Sequence, residues 1–176
     1  MSTSLSDRDP DAVKTRVSAK HVAVMAVFIA LAAVGSLIKI PSGVGTIALD
    51  SAPGYLVALG FSGWMGAVCA GVGHLLSAGL TGFPLSLPVH SAIAIGMAVS
   101  AWLISPFRRC GKFGWVMGCI AAVIWTTFIL NLIMVPIAGW AAYVANLLPL
   151  LVASIINVTI AACAWLVLRG THLLDQ

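Results

Sequence analysis

The chain has 176 residues, 61% of them hydrophobic, with a mean hydropathy of +1.08 and a formal net charge of +4. Between His21 and Leu168 only Lys39, Asp50, Arg108, Arg109 and Lys112 carry formal charge, which excludes a soluble domain, whose surface needs charge throughout. No water-facing stripe of Lys and Arg exists to hold nucleic acid, and the length leaves room for one membrane domain.

Residues 1–20 read as a basic, largely disordered tail. Lys14, Arg16 and Lys20 ahead of Val22–Val34, with Ala30-Leu31-Ala32 behind, imitate a signal peptide. The apolar run continues to Ile38, however, and so approaches spanning length. Five runs are plain: His21–Ile40, Trp64–Leu80, Leu87–Ile104, Phe113–Val135 and Asn146–Leu168, each near the ~17–25 residues that a bilayer requires. Ala52–Phe61 covers only about half of the ~30 Å hydrocarbon core.

Charge decides whether that short segment counts. Basic loops stay cytoplasmic, so the N-terminal tail, the Arg108-Arg109-Cys110-Gly111-Lys112 loop and Arg169 belong on one side. Six spans achieve this and five do not. The expected fold class is therefore an all-α membrane protein of the bacterial plasma membrane. It has six transmembrane helices in one domain, residues 21–170, and a short tail at 171–176, with both termini cytoplasmic. Trp64, Trp102, Trp115 and Trp165 fall at the expected cytoplasmic ends, and Tyr55, Trp140 and Tyr143 toward the outer face, where amphipathic rings prefer to sit. Trp125 falls near the midplane.

The two outer loops, Pro41–Asp50 and Gly82–Pro88, are apolar and punctuated by Gly and Pro; Thr46–Leu49 could be extended. They read either as a lid or as loops resting in the interface. Ser62, Gly66, Ala70, His74, Ala78 and Gly82 recur every four residues, and five of the six are small. Ala26 and Ala30 repeat the spacing in the first run. Internal helix packing and an interface for a second membrane protein both fit these faces.

Polar residues within spans are costly and by default mark function. The candidates are His90 at the outer mouth of the fourth run, Trp125 and Asn131 in the fifth, and Asn146 and Asn157 in the sixth. Lys39 and Asp50 sit at the rim. Asn146 and Asn157 share a helix face with Leu150 and Ala153, and Trp125, Phe128 and Asn131 form one face of the fifth run. Together these outline an outward-opening cavity for a neutral or weakly charged ring-bearing molecule. The plainer readings stay open: interhelical hydrogen bonds for each Asn, packing for His74, and a Lys39–Asp50 pair.

Enzyme and cofactor signals are thin. Gly111-Lys112 runs into Phe113 and is no phosphate loop. Gly60-Phe61-Ser62-Gly63 matches the GxSG of rhomboid proteases, but Ser62 lies at the expected cytoplasmic edge, His90 at the outer edge and His74 ~18 Å up the same helix. Cys69, Cys110, Cys119 and Cys163 have no metal-site spacing and read as free thiols. No cofactor is expected.

Ile40-Pro41 through Ala48-Leu49-Asp50-Ser51-Ala52-Pro53, then Gly63-Trp64-Met65-Gly66-Ala67, Gly73-His74-Leu75-Leu76-Ser77, Gly82-Phe83-Pro84 and Leu87-Pro88-Val89-His90 form a familiar series. It resembles the substrate-binding S components of energy-coupling factor (ECF) vitamin transporters, most of all the CblT-like group assigned to alpha-ribazole, a cobalamin precursor. The resemblance covers residues 22–105 and is diffuse beyond them. It implies the six-helix, RibU-like S-component fold and a ligand pocket near the outer face, capped by loops. It also implies an AxxxA surface, matched by Ala26 and Ala30, that docks on a transmembrane coupling subunit served by two ATPase subunits. The pocket residues of the family do not carry over to the fifth and sixth helices.

Overall fold

The computed structural model describes residues 17–42, 45–108 and 110–171. Residues 1–16 and 172–176 of the tails, Arg109 of the basic loop and residues 43–44 of the first outer loop lie outside the described residues. In chain order the elements are α1 (Ala19–Gly35), β1 (Lys39–Ser42), β2 (Gly45–Ala48), α2 (Ala52–Gly60), α3 (Gly63–Leu80), α4 (Leu87–Phe107), α5 (Gly114–Ile124) and α6 (Met134–Leu168). A π-helical turn, Trp125–Ile129, and a 3-10 turn, Leu130–Ile133, join α5 to α6.

Helix α1 starts at a capping box. The Ser18 hydroxyl accepts from the His21 backbone N–H, and the His21 ring accepts from that of Ser18. It stops at Gly35 rather than Ile40, because Lys39–Ser42 leaves the helix to pair antiparallel with Gly45–Ala48. The extended segment expected around Thr46 is this second strand.

Helix α2 has nine residues, ~14 Å of helix, under half of the ~30 Å core. It is set into the bundle, with Ala52, Gly54, Tyr55, Val57, Ala58 and Leu59 all buried. Small residues let it approach α3: a Cβ at Gly54 would stand 2.7 Å from the Ala70 Cβ, and one at Gly66 2.6 Å from the Ala58 Cβ. Both ends are capped from distant helices. The Asn157 carboxamide sits at the amino end, and Arg108 Nη1 donates to Ala58 O at 2.9 Å near the carboxyl end. Of the four-residue stripe, Gly66 and Ala70 thus serve internal packing.

The contacts give each helix its direction. Gly54 meets Ala70 while Ala58 meets Gly66, so α2 and α3 are antiparallel. Gly63 lies against Ser105 and Gly71 against Ala94, reversing α4; Gly118 against Ile104 reverses α5. The Trp115 and Trp165 rings meet at 5.3 Å, reversing α6, and His21 meets Trp64 at 6.0 Å. One end of the bundle therefore gathers the start of α1 and the end of α6, together with Trp64, Trp102, Trp115, Trp165, Arg108 and Arg169. The hairpin and the loop 81–86 lie at the other end.

Three helical stretches among the described residues are long and apolar enough to cross a membrane: Gly63–Leu80, Leu87–Phe107 and Gly114–Leu168. The last, 55 residues long, doubles back at Gly139, whose φ of 80° and ψ of 177° only glycine adopts readily. The final helix thus begins near Trp140, before the expected Asn146. Large apolar side chains such as Val27, Leu31, Ile95, Ile120, Leu148 and Val167 are exposed around the bundle, as lipid-facing positions are.

The buried core holds Tyr55, Leu59, Met65 and Ile104. Tyr55 is thus no interfacial anchor. Its hydroxyl meets Ser100 Oγ at 3.0 Å and Thr126 Oγ1 at 3.3 Å, since a buried phenol must find polar partners. The four cysteines are free thiols.

Candidate functional site

A cavity of about 410 Å³ lies between the hairpin, α2, the loop 81–86 and the α5–α6 junction. That is within the ~300–1,000 Å³ usual for small-molecule sites. Its apolar wall includes Ile93, Met97, Leu130, Met134 and Leu150. Tyr55 and Thr126 belong to a closed hydroxyl cluster with Ser100, in which Ser100 and Thr126 also donate to Ala122 O.

Six of the seven expected binding residues line this space: Lys39, Asp50, His90, Asn131, Asn146 and Asn157. They arrive from five different segments. Trp125 does not line it. Its indole N–H donates to Gly96 O at 2.8 Å, tying the π-helical turn to α4. The face expected of Trp125, Phe128 and Asn131 does not form, because the π and 3-10 turns change the angle per residue; Phe128 is exposed while Asn131 is buried.

The three asparagines differ. Asn157 Oδ1 accepts the N–H groups of Ser51 at 3.1 Å and Ala52 at 2.8 Å, and its Nδ2 donates to Ala153 O. It caps α2. Asn131 Nδ2 donates to Tyr143 O at 3.0 Å, which orients the carboxamide and leaves Oδ1 buried with no partner. Asn146 Oδ1 is likewise buried and unpartnered. Buried carboxamide oxygens rarely go unpaired, and these two both belong to residues that line the cavity.

The histidines form a chain that is not evident from spacing. Asp50 Oδ1 accepts from Ser51 Oγ at 3.0 Å, and Asp50 Oδ2 faces His74 Nδ1 at 3.5 Å. His74 Nε2 meets His90 Nδ1 at 3.3 Å, and the Leu85 backbone N–H donates to His90 Nε2 at 3.4 Å. The Lys39–Asp50 pair is therefore replaced: the carboxylate turns to His74 and Ser51. His74, assigned by spacing to a packing face, lines the cavity instead, as do Ser51, Ser77 and Ser154. A signal existed for His74. A carboxylate buried in a lipid-embedded bundle needs a partner, and few residues could supply one.

Ala26 and Ala30 are exposed on α1, whose opposite side packs Val24, Met25, Phe28 and Ile29 against Val57, Met65 and Cys69. The internal-packing reading of these two alanines is overturned.

The ECF transporter, substrate-specific component family matches residues 20–169. The chain belongs to this family. The S component is accordingly a substrate-binding transport subunit and a membrane protein, not an enzyme, and membership implies association with ECF transmembrane and ATPase subunits. Its fold is similar to that of the S component of a bacterial ECF transporter, with a TM-score of 0.69 at 18% identity, over 86% of this chain and 96% of that one. No curated protein matches it.

Proposed function

We propose that this S component binds a neutral, ring-bearing vitamin precursor, alpha-ribazole, in the cavity beneath the hairpin and the loop 81–86. The observation that carries the reading is the pair of buried, unpartnered oxygens, Asn131 Oδ1 and Asn146 Oδ1, on the wall of a 410 Å³ cavity that is otherwise mainly apolar. Two fixed acceptors favour a ligand with hydroxyl or N–H donors, while Ile93, Met97, Leu130 and Leu150 favour a flat apolar ring. Alpha-ribazole combines both: a benzimidazole ring and the hydroxyls of a ribose. Asp50 would reject a di-acid, and Lys39 is the one cation along the wall among the described residues.

In this reading the chain passes the membrane six times, counting the half-length α2 with its hairpin as one pass. The end bearing Arg108 and Arg169 is cytoplasmic by the charge rule, so the cavity opens outward. The exposed Ala26–Ala30 face of α1 docks on the coupling subunit, where small side chains permit close helix approach. The test is a titration of the purified chain with alpha-ribazole, riboflavin, pantothenate and biotin. Saturable binding of alpha-ribazole alone supports the assignment. Preference for another of the four transfers the site to that vitamin, and binding of none removes the reading.

A further inference from the structure

We infer that the Asp50–His74–His90 chain is a proton-sensitive latch on the loop 81–86, so that one added proton frees the loop from the cavity. The inference rests on the proposed binding role of the cavity, and extends it to regulation of the same site.

Donor and acceptor roles in the chain follow from its far end. The Leu85 N–H can only donate, so His90 Nε2 carries no proton. His90 Nδ1–H then donates to His74 Nε2, and the His74 proton sits on Nδ1, facing Asp50 Oδ2. Both rings are neutral and all four ring nitrogens are engaged. Neither histidine has a ring nitrogen left for a ligand, which makes them positioning residues for the loop.

A proton added to either ring has one outlet. If it resides on His90, Nε2 becomes an N–H. If the charge settles on His74 beside Asp50, both His74 nitrogens carry protons. His90 must then accept at Nδ1 and carry its own proton on Nε2. In either case two N–H groups confront each other at Leu85 and the bond to the loop is lost. Of the other titratable groups on this wall, Asp50 favours the added charge and Lys39 opposes it, while Tyr55 is held by Ser100 and Thr126. The residues facing from the α5–α6 junction and α6 are uncharged among the described residues: Asn131, Asn146, Ser154 and Asn157.

The loop has reason to move once released. Phe83 and Ser86 hold positive φ, 51° and 80°, without being glycine, and such backbone persists only where its surroundings enforce it. Besides the Leu85 bond, the Phe83 N–H donates to Ala78 O at 2.9 Å and the Ser86 N–H to Phe83 O at 2.8 Å, and the Phe83 ring packs edge-on against His90 at 5.9 Å, so the latch acts on the segment 84–86 and on that ring contact. Pro84 and Leu85 line the cavity, so their departure opens it. The closed loop binds one proton fewer than the open one. Ligand affinity therefore falls once the pH is low enough to add that proton to the pair.

The test uses the full chain carrying a nitroxide at Ser86→Cys, with Cys110→Ser and Cys163→Ala removing the exposed native thiols. Without ligand, the spectrum should be immobile at pH 8 and mobile at pH 5. His90→Gln, which keeps an acceptor for Leu85 but does not titrate, should stay immobile at both, and His90→Phe should be mobile at both. With alpha-ribazole, affinity should fall about tenfold at pH 5 in the wild type and not in His90→Gln, the loss expected for one hydrogen bond and its loop contacts. A loop equally immobile at both pH values, or a His90→Gln variant that keeps the wild-type response, overturns the latch. A loop that responds while alpha-ribazole binds at neither pH supports the latch and overturns only the ligand assignment.

Discussion

The Asn157 carboxamide of α6 accepts the backbone N–H of Ala52 at 2.8 Å, across 105 positions of sequence. Together with the Ser51 bond it satisfies two donors at the amino end of α2, which has no side-chain cap of its own. Replacing it with leucine leaves those donors buried and unpaired. Asn157→Leu should therefore lower stability in detergent by about 2 kcal/mol and weaken ligand binding through loss of structure. Thermal unfolding and ligand titration on one preparation check this; full stability with reduced affinity would return Asn157 to the ligand.

Asn146→Leu should behave in the opposite way. Its Oδ1 has no partner to lose, so an apolar replacement is expected to leave stability unchanged or slightly higher. Affinity for the bound precursor should drop by about 1–3 kcal/mol, roughly tenfold to a hundredfold. A stability loss as large as that of Asn157→Leu would mean that Asn146 supports the fold instead.

Gly139 turns the chain within α6 with φ 80° and ψ 177°, and a Cβ there would meet nothing within 4 Å. The cost of Gly139→Ala is purely conformational, about 1–3 kcal/mol. The melting temperature should fall, and since the turn carries Met134 and Tyr143 near the cavity, affinity should fall with it. An unchanged melting temperature would show that the turn relaxes freely.

Ala26→Trp with Ala30→Trp adds bulk to an exposed face. The double variant should fold and bind ligand normally, yet no longer copurify with a coupling subunit or support ATP-dependent uptake. Measuring binding and uptake together decides the point, because loss of both would place the face inside the fold.

Cys110 is exposed in the basic loop beside Arg108, while Ser86 is exposed in the loop at the opposite end of the bundle. In sealed cells an impermeant thiol reagent should label Ser86→Cys and spare Cys110. The reverse pattern would invert the chain in the membrane.

Composition and charge, which act locally, were enough to determine that this is a helical membrane protein, to locate its apolar runs and to place Arg108 and Arg169 at one end, with Lys39 alone at the other among the described residues. For Ala26 and Ala30 the four-residue spacing left packing and an interface both open, and the fold leaves the two exposed on α1. The same periodicity placed Asn146, Leu150, Ala153 and Asn157 together, and all four line the cavity. What each polar group does was decided only by tertiary structure. A buried donor or acceptor is defined by its partner, and here the partners lie far along the chain: Ala52 for Asn157, Gly96 for Trp125, Asp50 for His74. Spacing therefore could not separate the asparagine that caps α2 from the one whose Oδ1 is left without a partner. It also could not show that His74 leaves its small-residue stripe for a carboxylate. The α5–α6 junction escaped the pattern for a related reason: π and 3-10 turns abandon the 3.6-residue period on which any reading of helix faces depends.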